Sequence, residues 1–336
     1  MIANSTTLIL GAGASQPLGY PTGAELRQKI IDGIGIEPYL DAQRRIAAQD
    51  FGNSSIKIET YNRFKNRFRR SHVLSIDAFL AESENAQYSE VGTVAIAAAL
   101  LTCEYPQRDP DWYADLFNAI RFRADDERRF PLKIVTFNYD VSLEFVLFHA
   151  FMNTYDLSVE KTRVMFRENV EIIHVYGDLG KLTELSESND GRIYGENLAI
   201  AKPIIDASLR IHIIGRDKVT QEAFAKAFEA ISSATFVAIL GYGFDRLNNS
   251  NLRLQQAVAA KHPFATGFGM GCGARARLTS LAHQSSMVMG GKRETVREFL
   301  HETDLLRWIN EPGATAASVS KGMKKVFENS ILPYAR

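Results

Sequence analysis

Four short apolar runs, each closed by glycine or by small polar residues, constrain this chain more than any other feature. Thr6–Leu10 (TTLIL) runs into Gly11-Ala12-Gly13-Ala14-Ser15, and helical periodicity starts at about Gly23 (GAELRQKIIDGI). Residues 132–137 (LKIVTF) run into Asn138-Tyr139-Asp140 and then the helical stretch VSLEFVLFHAF. Residues 170–175 (VEIIHV) end at Tyr176-Gly177, and residues 235–240 (TFVAIL) end at Gly241-Tyr242-Gly243. Apolar runs of this kind read as buried strands, and each is followed by its polar or glycine residues. In an open parallel α/β sheet that is the ligand-binding edge, where strand C-termini meet helix N-termini. The expected fold is α/β, a Rossmann-like parallel sheet.

Between Ile34 and about Arg129 the periodicity is mostly helical. The expected organisation is therefore a Rossmann core from 1–34 and 130–270, a helical insertion over 35–129, and a C-terminal helical segment over 271–336. Within that last segment, 293–310 and 316–329 read as terminal helices. Residues 264–273 (FATGFGMGCG) either close a last strand or form a loop. In the insertion, Tyr61, Phe64 and Phe68 recur at helical spacing while Arg63, Lys65, Arg67, Arg69 and Arg70 fill the other faces. This reads as an amphipathic helix with core aromatics in preference to a nucleic-acid patch. The longest apolar run, residues 91–103, has 13 residues. A membrane-spanning helix needs ~20, so the run reads as a buried helix and no membrane partner is expected.

Charge and cysteine content exclude several function classes. Lys plus Arg and Asp plus Glu are 39 each, so no global field draws the chain onto nucleic acid or an anionic membrane. Cys103 and Cys272 stand far apart with no CxxC, which offers neither a disulfide framework nor a cysteine-rich zinc site. A reducing, cytoplasmic setting is expected, and the first residues, MIANSTTLIL, lack the basic region of a signal peptide. The seven histidines show no HExxH or other ligand spacing, so no metal is expected.

GAGAS after an opening strand suits a phosphate-binding turn, because glycines let the backbone approach a pyrophosphate and the helix N-terminus offers free N–H groups. It departs from the dehydrogenase fingerprint, whose third glycine would fall at Gln16. Nor does Ser15 stand in a GxSxG elbow.

Taken in order, the phrases GAGASQPLGYPT (11–22), SIDAFL (75–80), TFNYD (136–140), HVYG (174–177) and GYGFD (241–245) resemble the SIR2-like family. Within it, they are most similar to the bacterial SIR2-like NAD hydrolases of anti-phage defence. The resemblance spans about residues 6–255. It implies that Gly11, Ala12, Gly13, Ala14 and Ser15 cradle the NAD+ pyrophosphate, with Pro21 and Thr22 folding over the nicotinamide ribose. It places Asn138 and Asp140 beside that ribose, with helix capping as the alternative for Asn138. Gly177 closes the HVYG phrase, and Gly241, Tyr242, Gly243, Phe244 and Asp245 match the turn on the adenosine half. Asp245 with Asn248 is alternatively a cap for the next helix.

Sirtuins carry their catalytic histidine immediately before the glycine, and here that place holds Tyr176. His174 lies two positions earlier and, by strand alternation, is expected on the same side. His174 is the candidate proton acceptor and Tyr176 its substitute. The implied reaction is hydrolysis of NAD+ to nicotinamide and ADP-ribose, with NAD+ as substrate. A cationic leaving group departs through an oxocarbenium-like transition state. Asn138 would orient water and ribose hydroxyls, and Asp140 would support the developing positive charge. The alternatives are an NAD-dependent deacylase, disfavoured by the missing four-cysteine zinc module, and a non-catalytic NAD or ADP-ribose sensor. A free NAD hydrolase would be toxic, so homo-oligomerisation and a partner such as a HerA-type ATPase or an Argonaute are expected.

Overall fold

The computed structural model describes residues 2–49, 53–121, 130–188, 190–213, 218–259, 261–281 and 287–315, together with 317 and 319. Six parallel strands form one open sheet: β1 (Thr6–Leu10), β2 (Leu132–Thr136), β3 (Val170–His174), β4 (Phe236–Leu240), β5 (Phe264–Ala265) and β6 (Val288–Met289). Their order is β3-β2-β1-β4-β5-β6. Every residue of β1 and β4 is buried, as expected of central strands covered on both faces. The order reverses between β1 and β4, which makes their carboxyl ends the topological switch point of the sheet.

Register carries the sequence motifs to one edge. Leu10 pairs with Thr136 and with Leu240, and Thr136 pairs with His174. The last residues of four strands thus stand in one row. The residues that follow each of them, GAGAS, FNYD, VYG and GYGFD, emerge together although more than two hundred positions separate the first from the last.

Behind β1 come α1 (Ala12–Ser15), a short 3-10 turn (Gln16–Leu18) and α2 (Gly23–Asp32). The stretch that follows is helical: α3 (Glu37–Gln49), α4 (Asn53–Ser71), α5 (Ile76–Glu82), α6 (Ala86–Leu101) and α7 (Trp112–Ile120). The apolar run at 91–103 lies largely in α6, buried on every face among α2, α4, α5 and α10 (Lys202–Ser208). Tyr61, Phe64 and Phe68 of α4 point into the core, with Phe64 and Phe68 at 6.0 Å and Phe68 on Phe79 at 4.9 Å. The arginines of α4 stay outside.

Two helices, α8 (Ser142–Tyr155) and α9 (Val159–Asn169), join β2 to β3. The return to β4 uses α10 and α11 (Lys218–Ser233), and α12 (Arg246–Asn251) and α13 (Leu254–Ala257) lead to β5. The remainder holds α14 (Cys272–Leu281), β6, α15 (Val296–Glu302) and α16 (Leu305–Trp308).

Two expectations change here. The segment 271–336 is not purely helical, because Val288–Met289 pairs with β5 as a sixth strand. A two-residue strand leaves no periodicity to detect. The helix expected over 293–310 is broken at Thr303-Asp304, where Asp304 takes a left-handed conformation with φ 49°. Most of the helix expected over 316–329 lies outside the described residues. Of the two options for 264–273, its first two residues form β5. Among the described residues no helix is long and apolar enough to cross a membrane, and no group of three or more His, Cys, Asp or Glu is gathered to hold a metal.

Candidate functional site

At the switch point the turns after β1 and β4 close on each other. The Gly11 N–H donates to the Leu240 carbonyl at 3.1 Å and the Gly13 N–H to the Gly241 carbonyl at 2.9 Å. A Cβ on Gly11 would stand 2.6 Å from Tyr242 Cα, and one on Gly241 would stand 2.0 Å from the Ala14 nitrogen. Gly241 also has φ +60°. These glycines are required by the approach of two backbones, independently of any ligand. Since the Ala14 N–H donates to the Gly11 carbonyl at 2.8 Å, three amides of the expected phosphate cradle are already engaged. Gly11, Gly13 and Ala14 therefore build a seam. The seam is backed by α7, whose Trp112 Nε1 donates to the Ala14 carbonyl at 2.8 Å.

Asn138 follows β2 and crosses to that seam. Its Nδ2 donates to the Gly11 carbonyl at 3.1 Å and to Ser15 Oγ at 2.9 Å, while its own N–H donates to Thr136 Oγ1 at 3.1 Å. Capping was the alternative for Asn138, but the start of α8 is served by Asp140, whose carboxylate accepts from the Ser142 N–H at 3.2 Å and from the Ser142 hydroxyl. The Tyr113 hydroxyl lies between Ser15 Oγ at 3.3 Å and Ser142 Oγ at 3.2 Å. Ser15, Tyr113 and Asp140 are all buried. Burial pushes the Asp140 carboxyl above the usual carboxylate range, against the hydrogen bonds from Ser142 and Ser15. A buried carboxyl with a raised pKa at the ligand-binding edge of such a sheet is a frequent mark of a functional site.

His174, the last residue of β3, is held at both ring nitrogens. Nδ1 meets the Asn138 carbonyl at 2.9 Å and Nε2 meets Glu144 Oε1 of α8 at 2.6 Å. A backbone carbonyl only accepts, so Nδ1 donates, and a carboxylate at Nε2 favours a second proton on the ring. Burial alone would lower the His174 pKa, but the Glu144 charge and hydrogen bond, with Asp178, hold it up to about 9. With both ring nitrogens committed to protein partners, His174 is a clamp on Asn138.

Tyr176 goes elsewhere. Its hydroxyl donates to Asn248 Oδ1, and its ring packs on Phe137 at 5.8 Å and on Phe224 of α11 at 5.7 Å. Strand alternation gave 174 and 176 one side, but β3 ends at His174, and past the strand the backbone is free to turn. Burial raises the Tyr176 hydroxyl pKa, with Asp77 and Asp245 adding to the rise. Gly177 serves the chain itself: φ is +78°, and a Cβ there would meet the Arg210 carbonyl at 1.9 Å.

The remaining expected residues lie around the same edge of the sheet. Tyr242 is buried, stacks beside Phe137 at 4.8 Å and donates to Asn249 Oδ1 at 3.1 Å. Phe244 sits edge-on to Tyr242 at 5.1 Å in a left-handed conformation, φ 53°. Gly243 is exposed and has open space where a Cβ would stand. Asp245 caps α12 by accepting from the Leu247 and Asn248 amides at 2.9 and 3.0 Å. Thr22 begins α2, with the Glu25 carboxylate accepting from its N–H and its hydroxyl at 2.8 Å each. Pro21 is buried next to Tyr20, whose hydroxyl meets that of Tyr194 at 2.9 Å.

Three neighbours were not singled out from the sequence. Asp77, inside the SIDAFL phrase, accepts from the Tyr139 hydroxyl at 2.5 Å, and burial raises its pKa. Glu144 is a lone carboxylate in the apolar run SLEFVLF, a signal that marks a buried charge needing a partner. Tyr113 carries no such mark. No family model matches the chain, and no curated protein matches it significantly.

Proposed function

We propose that the chain is a SIR2-like NAD+ glycohydrolase that cleaves NAD+ to nicotinamide and ADP-ribose. The observation that carries the reading is the meeting of two phrases 123 positions apart: the Asn138 side chain donates to Ser15 and Gly11 of the glycine turn. This puts an amide, a serine hydroxyl and the buried Asp140 at the edge where an open α/β sheet takes its ligand.

The nicotinamide–ribose bond needs little activation, because the leaving group is cationic and positive charge develops on the sugar. Asn138 orients the ribose hydroxyls and the attacking water. Asp140 lies against the developing oxocarbenium charge and takes the proton of the water as it adds, a role its raised pKa favours. His174 keeps Asn138 in place. Phe137, half-buried and backed by the buried rings of Tyr176 and Tyr242, is the aromatic side chain nearest to hand for a nucleotide base. In the same reading the enzyme is an effector of bacterial anti-phage defence by NAD+ depletion, acts in the cytoplasm, and is restrained by oligomerisation or by a partner such as a HerA-type ATPase or an Argonaute.

The test is incubation of the purified chain with excess NAD+ and chromatographic measurement of nicotinamide and ADP-ribose, with Asn138→Ala as control. Products that vanish in the variant support the reading. Equal turnover by a folded Asn138→Ala protein would remove it.

A further inference from the structure

The pair Glu144–His174 is out of place in its surroundings. Both side chains are 11% exposed, and the rest of α8 around Glu144 is apolar, with Leu143, Leu147, Phe148 and Phe151 buried. A buried ion pair adds little to stability over apolar residues of similar size, because both charges lose their hydration. Such a pair is retained where it specifies a geometry. Here the geometry is visible: Glu144 Oε1 holds Nε2 at 2.6 Å, and the opposite nitrogen holds the Asn138 carbonyl at 2.9 Å. Asn138 is thereby fixed at its backbone by His174 and at its amide by Gly11 and Ser15.

We propose that Glu144 is a positioning residue: through His174 it clamps the Asn138 backbone and so aims the Asn138 amide at the glycine turn. The proposal rests on the glycohydrolase reading only for its effect on turnover. The clamp depends on the ring keeping both protons, since a neutral imidazole would lose one of its two donors. Around the ring stand Glu144 from α8, Asp178 from the loop after β3, and the Asn138 carbonyl from the turn after β2. Asp178 is already paired with Arg210 through two bonds of 2.7 and 2.9 Å. Asp140 is bonded to the Ser142 amide and hydroxyl, and α11 brings Phe224 to Tyr176. Glu144 is thus the carboxylate bonded to the imidazolium.

The experiment compares the full chain with Glu144→Gln, an isosteric change that removes the charge. Histidine rings labelled with nitrogen-15 are followed by NMR across pH, His174 being assigned through His174→Asn. In the parent protein His174 is expected to keep both protons up to about pH 9. In Glu144→Gln it is expected to lose one by about 6.5, the ordinary histidine value, and the Asn138 side-chain amide resonance is expected to move with it. With NAD+ as substrate, kcat is expected to fall about 100-fold, the scale of a small misplacement of a reacting group, while KM changes less than about threefold. If Glu144→Gln does not fold, Glu144→Asp retains the charge at a shorter reach and is expected to show a smaller shift of both resonances.

An unchanged His174 titration overturns the proposal, and so does an Asn138 amide resonance that stays put while His174 titrates early. A carboxylate with only a structural role would lower the melting temperature and leave that resonance where it is. If the parent chain releases no nicotinamide, the glycohydrolase reading fails, while the two NMR readouts still decide whether Glu144 positions Asn138.

Discussion

Two parts of the candidate site are held together by different physics. The seam between Gly11–Ala14 and Gly241–Tyr242 is backbone against backbone, with contacts so close that no side chain fits between them. The layer beside it, Asn138 with His174, Glu144, Ser15 and Tyr113, is made of side chains joined by hydrogen bonds and one buried ion pair. The seam is intolerant of substitution and indifferent to pH. The side-chain layer accepts conservative changes of shape but depends on protonation. A site built this way has a rigid floor and a chemically adjustable wall.

The sharpest way to break this comparison is Gly241→Ala. With φ +60° and a Cβ 2.0 Å from the Ala14 nitrogen, the change strains the backbone by ~1 kcal/mol or more and forces the two turns apart. Soluble yield and melting temperature are expected to collapse together. Gly243→Ala, two positions on with open space at its Cβ, is expected to change stability by less than about 0.5 kcal/mol. If the two substitutions cost the same in thermal melts, the seam is not what holds the floor.

Asn138→Ala probes the wall. It is expected to abolish nicotinamide release while lowering stability by only about 1–3 kcal/mol, the cost of leaving buried partners short of a donor. Chromatography of the products and a melting curve on one preparation separate the two effects.

The wall also predicts a pH dependence that the floor lacks. His174 has a folded-state pKa raised from 6.5 to about 9, so its contribution is complete below about pH 6.5 and is lost as the pH rises through about 9. The melting temperature is expected to decline over that window, and the decline is expected to flatten in Glu144→Gln. A parent protein with no decline between pH 6.5 and 9 would show that His174 is not an imidazolium. The smallest expected effect is at the rim: Thr22→Ala removes the capping hydroxyl at the start of α2 and is expected to cost about 1 kcal/mol in denaturant unfolding.

Much of the fold was legible in the chain itself. Apolar runs closed by glycine announced β1, β2, β3 and β4 to within a residue at each end, because strand burial and turn chemistry are local. The two-residue strands β5 and β6 left no comparable trace, since their pairing is settled by neighbours that the local sequence does not contain. Of the site, Asn138 could be read as a cap or as a ligand residue, and only the fold brings its amide to Gly11 and Ser15 and Asp140 to the start of α8. His174 could be read as a base, and only the fold brings Glu144 to its second nitrogen. Gly177 could be read as part of a binding turn, and only the fold sets the Arg210 carbonyl where its Cβ would stand.

The sequence by itself determined the strand-and-turn grammar, the helical stretch before β2, and which short phrases end at strand C-termini, all consequences of periodicity and turn preference over a few residues. Only the tertiary structure decided which backbone amides of the glycine turn bond across to other segments, which way His174 and Tyr176 diverge past the end of β3, and that a carboxylate inside an apolar helix meets a histidine ring. Those outcomes depend on contacts between segments up to about two hundred residues apart. A donor's availability and a ring's charge belong to the partners that folding brings to it.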